Sequence, residues 1–80
     1  MARYYFDTRD NDVLEVDLIG VELPSLDAVK KAASAAMADL AKDALPGSIV
    51  RTLAIEVRSE RGPVLRVSLR FEVEQVAALP

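Results

Sequence analysis

The most constraining feature of this 80-residue chain is a strict alternation of apolar and polar residues near its C-terminal end. Every second residue from Leu65 to Val73 is apolar, and the residues between them are charged or hydroxylated. A period of two places successive side chains on opposite sides of a β-strand, so the pattern predicts a strand over residues 64–74 with one buried face. Such a strand needs neighbouring strands and a second layer to cover its apolar side.

The segment that precedes it has the same alternation and predicts a partner strand over residues 50–58. Turn-forming residues, including a glycine and a proline, separate the two segments. If Val57 faces Leu65, the apolar sides of the two strands coincide, and Glu56 then lies opposite Arg66 on the other side. We therefore predict an antiparallel hairpin with a cross-strand charge pair.

The N-terminal segment predicts a second hairpin, with strands over residues 2–8 and 13–19. The side chains expected on its apolar face are Tyr4, Phe6, Thr8, Leu14, Val16 and Leu18. The acidic residues Asp7 and Glu15, together with Asp17, are then expected on the outer face. In this assignment the aromatic residues of the first strand belong to the core, apart from Tyr5.

Two turn lengths agree with those faces. A three-residue turn over residues 9–11 would place Asn11 in the left-handed conformation, which asparagine tolerates. A longer turn would set Asp7 opposite Glu15, and like charges directly opposite each other destabilise a sheet. We therefore predict the shorter turn, in which Tyr5 lies near Glu15.

A single helix is predicted between the hairpins, over residues 26–45. Ser25 is suited to cap its first turn, and Asp27 favours the positive end of the helix dipole. Glu22 is expected to order the preceding segment by accepting backbone N–H groups. The residues that recur at helical spacing on the apolar side are Leu26, Val29, Ala33, Ala36, Met37, Leu40 and Ala44.

The order of these elements predicts an α+β fold of two layers, ββαββ, with a mainly antiparallel four-stranded sheet packed on one Ala-rich helix. Four strands span about 14 Å between outer axes, whereas one helix covers roughly 10 Å. The sheet must curl strongly around the helix or leave part of its apolar side open. The second case predicts a homodimer formed through outer strands or helices, and the first a curled monomer.

The composition limits the possible partners and compartments. The 10 basic and 13 acidic residues give a net charge of −3, which disfavours a partner bound mainly through phosphates, and a membrane surface likewise. The absence of cysteine excludes a disulfide framework and fits a reducing cytoplasm. The length fits one domain over residues 1–80, and we expect a cytoplasmic protein without a membrane segment.

The chain also lacks histidine, so a serine nucleophile has no usual base and a proton shuttle near neutral pH has no usual group. Asp7, Glu15 and Asp17 could form a paired-carboxylate or cation site, but a solvated polar face explains them more simply. We therefore predict no catalytic residue, no metal site and no cofactor, and expect a protein that is not an enzyme.

One face of the sheet could contact a partner, because the residues Arg58, Arg66 and Arg70 are expected on its open side together with Tyr5. Single-strand nucleic-acid readers stack bases on several aromatic residues, and this face has only one, with glutamates between its arginines. The leading hypothesis is a small protein-interaction or regulatory module that self-associates. The alternative is a nucleic-acid-associated regulator that uses the arginine face.

Two segments resemble a family of short bacterial proteins known as a domain of unknown function. They are Arg3-Tyr4-Tyr5-Phe6-Asp7 on the first strand and Gly20-Val21-Glu22-Leu23 before the helix. Members of that family open with Arg-Tyr, an aromatic residue and Phe-Asp, and they begin their helix through Gly-x-Glu-Leu and an Ala-rich segment. The resemblance covers nearly the whole chain and implies a fold without an assigned activity. The first half is also similar to the N-terminal domain of HicB-type antitoxins, which implies a regulatory role.

Overall fold

The computed structural model describes residues 1–79, in which one helix packs on a five-stranded antiparallel sheet. The elements are β1 (Ala2–Asp10), β2 (Val13–Glu15), β3 (Val21–Leu23), α1 (Leu26–Ala44), β4 (Val50–Ser59) and β5 (Gly62–Glu72). The order across the sheet is β2-β1-β4-β5, and β3 also pairs with β1. Because β4 occupies one edge of β1, the short strands β2 and β3 share the other edge. The sheet is therefore four strands wide, and the predicted α+β class is confirmed.

The C-terminal hairpin has the predicted register. Val57 pairs with Leu65 and Glu56 pairs with Arg66, whose guanidinium lies 2.9 Å from the Glu56 carboxylate. A register shift follows Val57, and Val64 is the extra residue in β5. Pro63 is tolerated near this bulge because β5 is an edge strand, where a missing N–H group leaves no neighbour unpaired.

The predicted register of the N-terminal hairpin is wrong. Asp10 pairs with Val13 and Thr8 pairs with Glu15, so the turn contains two residues, Asn11 and Asp12, rather than three. Asn11 has a φ of 51°, as expected for the left-handed position, and its backbone N–H donates to the Thr52 carbonyl at 2.7 Å. The Asn11 side chain in turn accepts the Thr52 N–H at 3.0 Å. These contacts with β4 favour a tight turn that could not be read from the hairpin alone.

The observed pairing differs from the predicted one by three residues, because Glu15 lies opposite Thr8 instead of Tyr5. A shift by an odd number of residues moves every side chain of the second strand to the other face. Glu15 shares a face with Thr8 and does not lie beside Tyr5. The predicted strand over residues 13–19 also ends at Glu15 and resumes as β3 only at Val21. The side chains expected in the core from this strand are exposed: Leu14 by 45%, Val16 by 48% and Leu18 by 86%.

The core therefore lies between α1, β4 and β5. Its buried residues are Val29, Ala33, Met37, Leu53, Ile55 and Val57, and Tyr4 and Phe6 of β1 pack at its margin. Ser25 caps α1, because its Oγ accepts the Ala28 N–H at 3.1 Å. Within residues 1–79, no helix has the length and apolar character needed to cross a membrane.

Candidate interaction surface

Arg58 is the centre of a polar cluster on the face of the sheet opposite the helix. Its Nε donates to Asp7 Oδ2 at 2.9 Å, and its Nη2 lies 3.4 Å from Asp7 Oδ1. The same Nη2 donates to the Asp17 carbonyl at 2.8 Å. A planar guanidinium that holds a carboxylate with two nitrogens fixes both groups in one geometry. Arg58 therefore connects β4 to β1 and to the segment after β2.

Asp17 holds that segment together. Its carboxylate accepts the backbone N–H groups of Phe6, Ile19 and Gly20, each at 3.0 Å. Its own backbone N–H donates to Asp7 Oδ1 at 2.9 Å. The hydrogen bonds from Phe6 and Gly20, with smaller contributions from Ile19 and Arg58, lower the pKa of the Asp17 carboxyl below its ordinary value. The anionic form of Asp17 is thus the form that orders the chain here.

Tyr5 and Gly20 complete the cluster. The guanidinium carbon of Arg58 lies 4.5 Å from the centroid of the Tyr5 ring, within the range of a cation–π interaction. Gly20 has a φ of +71°, and a Cβ atom there would lie 2.8 Å from the Tyr5 ring and 2.9 Å from the Tyr4 carbonyl oxygen. Both the backbone conformation and the close approach require glycine.

These contacts position residues 16–20, which we call the apolar loop. Leu18 and Ile19 at its tip are 86% and 81% exposed, and Val16 is about half exposed. The Ile19 carbonyl accepts a hydrogen bond of 2.8 Å from Arg3, which adds a further anchor. The loop thus has an ordered backbone and aliphatic side chains that face water.

A second charge cluster lies beside the first. Glu56 accepts hydrogen bonds from Arg9 at 3.1 Å and from Arg66 at 2.9 Å, across three adjacent strands. The hydrogen bond from Arg9 is the main cause of a lowered pKa of the Glu56 carboxyl. Two guanidinium groups are thereby neutralised in part by one carboxylate.

A third cluster is on the helix side. Arg51 binds Asp10 through two hydrogen bonds of 2.6 Å, and its Nη1 donates to the Ala44 carbonyl and to Ser48 Oγ. Its hydrogen bonds lower the pKa of the Asp10 carboxyl. Arg51 therefore fastens the last turn of α1 to the end of β1, where a cation also complements the helix dipole.

Residues 3–70 match the family model described as Domain of unknown function (DUF6894). The chain belongs to the DUF6894 family. No curated protein and no solved structure matches, so the similarity to HicB-type antitoxins is without support. The expectation of a family of unknown function is confirmed. All residues of the Asp7–Asp17–Arg58 cluster, and the apolar loop itself, fall within the DUF6894 match.

The arginines predicted on one face of this DUF6894 domain do not form a common patch. Arg58 contacts the Tyr5 ring, but its guanidinium is hydrogen-bonded to the Asp7 carboxylate and the Asp17 carbonyl. Arg66 is paired with Glu56, and Arg70 lies 3.6 Å from Glu72. Each predicted arginine therefore has an acidic partner within its own chain.

The other predicted residues are distributed as follows. Ser25 lies at the helix cap, away from the open face. Glu22 lies 4.0 Å from Arg3, and the loop N–H groups that it was expected to accept bind Asp17 instead. Of the three acids considered as a site, Asp7 and Asp17 come together, while Glu15 lies on the other face.

Sequence reasoning missed Asp17 as the organising residue. The available signal was its spacing from Gly20, because an aspartate often accepts backbone N–H groups two or three residues ahead. Within the described residues 1–79, no group of three or more His, Cys, Asp and Glu side chains is placed to hold a metal ion.

Proposed function

We propose that this chain is a small, non-enzymatic protein-interaction or regulatory module that binds a protein partner through the apolar loop. One observation carries the proposal: the Asp7–Asp17–Arg58 cluster orders a loop whose tip residues, Leu18 and Ile19, are more than four-fifths exposed. The reducing cytoplasm is the compartment we propose, because the chain contains no cysteine.

The arrangement favours binding for energetic reasons. Burial of an exposed leucine or isoleucine is worth about 1.5–3 kcal/mol, and the two tip residues are adjacent. An ordered backbone also reduces the conformational entropy that a loop loses on association. Leu14 and Val21, which are 45% and 43% exposed, flank the loop in the chain but lie on opposite faces of the sheet, so the two tip residues provide the main apolar contact. The partner chemistry that fits is an apolar groove able to accept two aliphatic side chains.

A role without catalysis agrees with the use of the polar residues. Asp7 and Asp17 bind backbone and guanidinium groups of their own chain. The lowered pKa of the Asp17 carboxyl makes it a poor proton donor near neutral pH. The chain contains neither histidine nor cysteine that could act in its place.

Nucleic-acid binding through the arginine face is the second candidate, and it has less support. Phosphate binding depends on cationic side chains that are free to neutralise phosphates and so displace the counterions condensed on the nucleic acid. Arg58, Arg66 and Arg70 each have an intramolecular carboxylate partner, and the net charge of the chain is −3.

A substitution of the loop tip tests the proposal. Proteins captured from the cell extract by the native chain are identified, and the partner is purified and titrated against the L18S/I19S variant. We expect binding at least tenfold weaker than for the native chain. The control is V76S/L79S, which removes two aliphatic side chains of similar exposure, 89% and 82%, from the C-terminal tail.

Because all four side chains are exposed, both variants are expected to keep the native circular dichroism and urea midpoint. Equal affinity of L18S/I19S and the control would contradict the role of the loop. Measurable binding of a generic single-stranded oligonucleotide at physiological salt, lost as salt rises, would support the second candidate and contradict the first.

A further inference from the structure

The outer edge of β5 is the long free edge of the sheet. β5 is 11 residues long, pairs with β4 on one side, and has no neighbour on the other side within residues 1–79. The opposite edge is formed by β2 and β3, which contain three residues each and are separated by the apolar loop. A free edge presents a row of unpaired N–H and C=O groups that another strand can bind. In the part of the chain that the structure describes, β5 alone offers such a row over a substantial length.

The apolar side of β5 is also incompletely covered by the helix. Its side chains Leu65, Val67, Leu69 and Phe71 are all only partly buried, in contrast to the fully buried Leu53 and Ile55 of β4. The sheet is four strands wide and is covered by one helix, as the width argument predicted. A partner strand beside β5 would cover these partly buried apolar side chains. It would also form hydrogen bonds with the unpaired N–H and C=O groups of the outer edge.

Symmetry limits the ways in which a second copy can pair here. In an antiparallel pair, opposed residues have their side chains on the same face of the sheet. When both strands are β5, the two-fold axis is perpendicular to the sheet, and one residue must lie opposite its own copy. Each alternative register is defined by that central residue. In all of them, both helices lie on the same side of a continuous sheet.

Charge selects among these registers. With Leu69 opposite its own copy, Arg66 of one chain faces Glu72 of the other, and the reciprocal pair forms as well. With Ser68 at the centre, Arg66 would instead face Arg70 twice. With Arg70 at the centre, Arg70 would face itself, and only residues 68–72 of β5 would be paired. With Phe71 at the centre, Arg70 would face Glu72, but only residues 70–72 of β5 would be paired. Opposite charges stabilise directly opposed positions and like charges destabilise them. Of the registers that pair at least seven residues of β5, the Leu69-centred one sets opposite charges against each other and is therefore favoured.

The apolar side fits the same register. Val67 then faces Phe71, and Leu65 faces Val73 of the other chain. Val73 is in position to extend the strand, because its backbone N–H already donates to the Ile49 carbonyl at 2.7 Å. Val73 is 52% exposed in the single chain, so the contact would bury surface that is now in water.

We propose that a second copy of this chain docks along the outer edge of β5, antiparallel and with Leu69 on the two-fold axis. The sheet then continues through both copies, and the apolar loops remain free at its two far edges. This inference does not depend on partner binding by the apolar loop, which lies on the opposite edge from β5. If that function also holds, the dimer is bivalent for its partner.

Cysteine cross-linking tests the register directly, because the chain has no cysteine of its own. Opposed residues of antiparallel strands have Cα atoms about 4.5–5.5 Å apart, within the range that a disulfide spans. L69C should therefore give a covalent dimer under mild oxidation. S68C is the matched control and should stay uncrosslinked, because in this register Ser68 lies opposite Arg70 rather than its own copy.

Charge exchange gives an independent test by sedimentation equilibrium. The native chain should sediment at twice its mass of 8.7 kDa at micromolar concentration. R66E and E72R should each shift toward the monomer, because each creates two like-charged pairs across the axis. When the two variants are mixed, they should associate again. In the mixed dimer, R66E has an acidic residue at both position 66 and position 72, and E72R has a basic residue at both, so each pair across the axis joins opposite charges. E60R changes the charge of an exposed turn residue by the same amount as E72R and should leave the dimer intact.

Circular dichroism establishes that each variant is folded. The variants L69C and S68C replace uncharged residues, so the cross-linking test is independent of the charge test. A native chain that remains at 8.7 kDa would overturn the proposal. Cross-linking of S68C in preference to L69C, or failure of the R66E and E72R mixture to associate, would overturn the register. Loss of partner binding in L18S/I19S with an unchanged dimer mass would separate the two proposals.

Discussion

The backbone N–H of Asp17 donates a hydrogen bond of 2.9 Å to Oδ1 of Asp7, which joins two acidic residues ten positions apart. Arg58 lies against both, since it binds the Asp7 carboxylate and the Asp17 carbonyl. Asp17 in turn uses its own carboxylate to bind three backbone N–H groups. The apolar loop is ordered by this hydrogen-bond network, which connects the Arg58 guanidinium, the two aspartates and the loop backbone.

Replacement of Asp17 by alanine should destabilise the protein, because the N–H groups of Phe6, Ile19 and Gly20 lose their acceptor. Partly buried donors left without a partner cost about 1–3 kcal/mol, and we expect D17A to lower the free energy of unfolding by that amount in urea titrations. D39A, at an exposed position of α1, is the control and should change the value by less than about 0.5 kcal/mol. Equal effects of D17A and D39A would show that the Asp17 hydrogen bonds contribute nothing.

Stability should fall in acid, and Asp17 should account for part of that fall. Its pKa is lower in the folded chain than its ordinary value of 3.8, so the ionised carboxylate stabilises the fold fully above about pH 5. That contribution is lost as pH falls below 3.8 and through the lowered folded pKa. Asp10 and Glu56, whose pKa values are also lowered, contribute in the same direction.

The D17N variant isolates the share that belongs to Asp17. It should be less stable than the native chain at pH 7, and the difference should shrink as the native carboxylate becomes protonated. The measurement is the urea midpoint at intervals from pH 7 to pH 2. A difference that stays constant over this range would mean that the charge of Asp17 does not contribute to stability.

Gly20 and Gly47 form a matched pair for a test of the close approach to Tyr5. Both have positive φ angles, +71° and +88°, so alanine is strained at either position. A Cβ atom at Gly20 would also lie within 2.9 Å of the Tyr5 ring and the Tyr4 carbonyl, whereas one at Gly47 meets nothing within 4 Å. We expect G20A to be more destabilising than G47A by about 1–3 kcal/mol, measured by urea unfolding. Similar values for the two variants would contradict this packing.

Lysine at position 58 should loosen the apolar loop while the net charge stays the same. An ammonium group cannot hold the Asp7 carboxylate in a fork and also reach the Asp17 carbonyl in the same geometry. We expect faster amide hydrogen exchange at Ile19 and Gly20 in R58K, with exchange in the core strand residue Ile55 changed much less. R61K, in the exposed β4–β5 turn, is the control and should match the native chain at all three amides.

The C-terminal half of the chain could be predicted from the sequence in detail. The alternation in β4 and β5 defined their faces, and matching those faces defined the Val57–Leu65 register and the Glu56–Arg66 pair. The helix begins at the predicted residue, Leu26, because Ser25 is a strong local capping signal. Periodicity and capping depend on near neighbours in the chain, and both are visible in the sequence.

The second strand and the loop that follows it were decided by tertiary contacts. The turn formed at Asn11 and Asp12 shifted the pairing by three residues and so inverted the faces of β2, and this turn is stabilised by hydrogen bonds between Asn11 and Thr52 of β4. The break after Glu15 depends on Asp17, Asp7 and Arg58, which are far apart in the chain.

The sequence by itself thus determined the helix, the strands β1, β4 and β5, the α+β class and the shortage of cover for the sheet. The tertiary structure alone decided that the arginines are paired internally and that Leu18 and Ile19 face water. The physical reason is that local patterns specify the period of an element. The partner of a charged side chain, and the face that a short strand presents, depend on residues brought together only by folding.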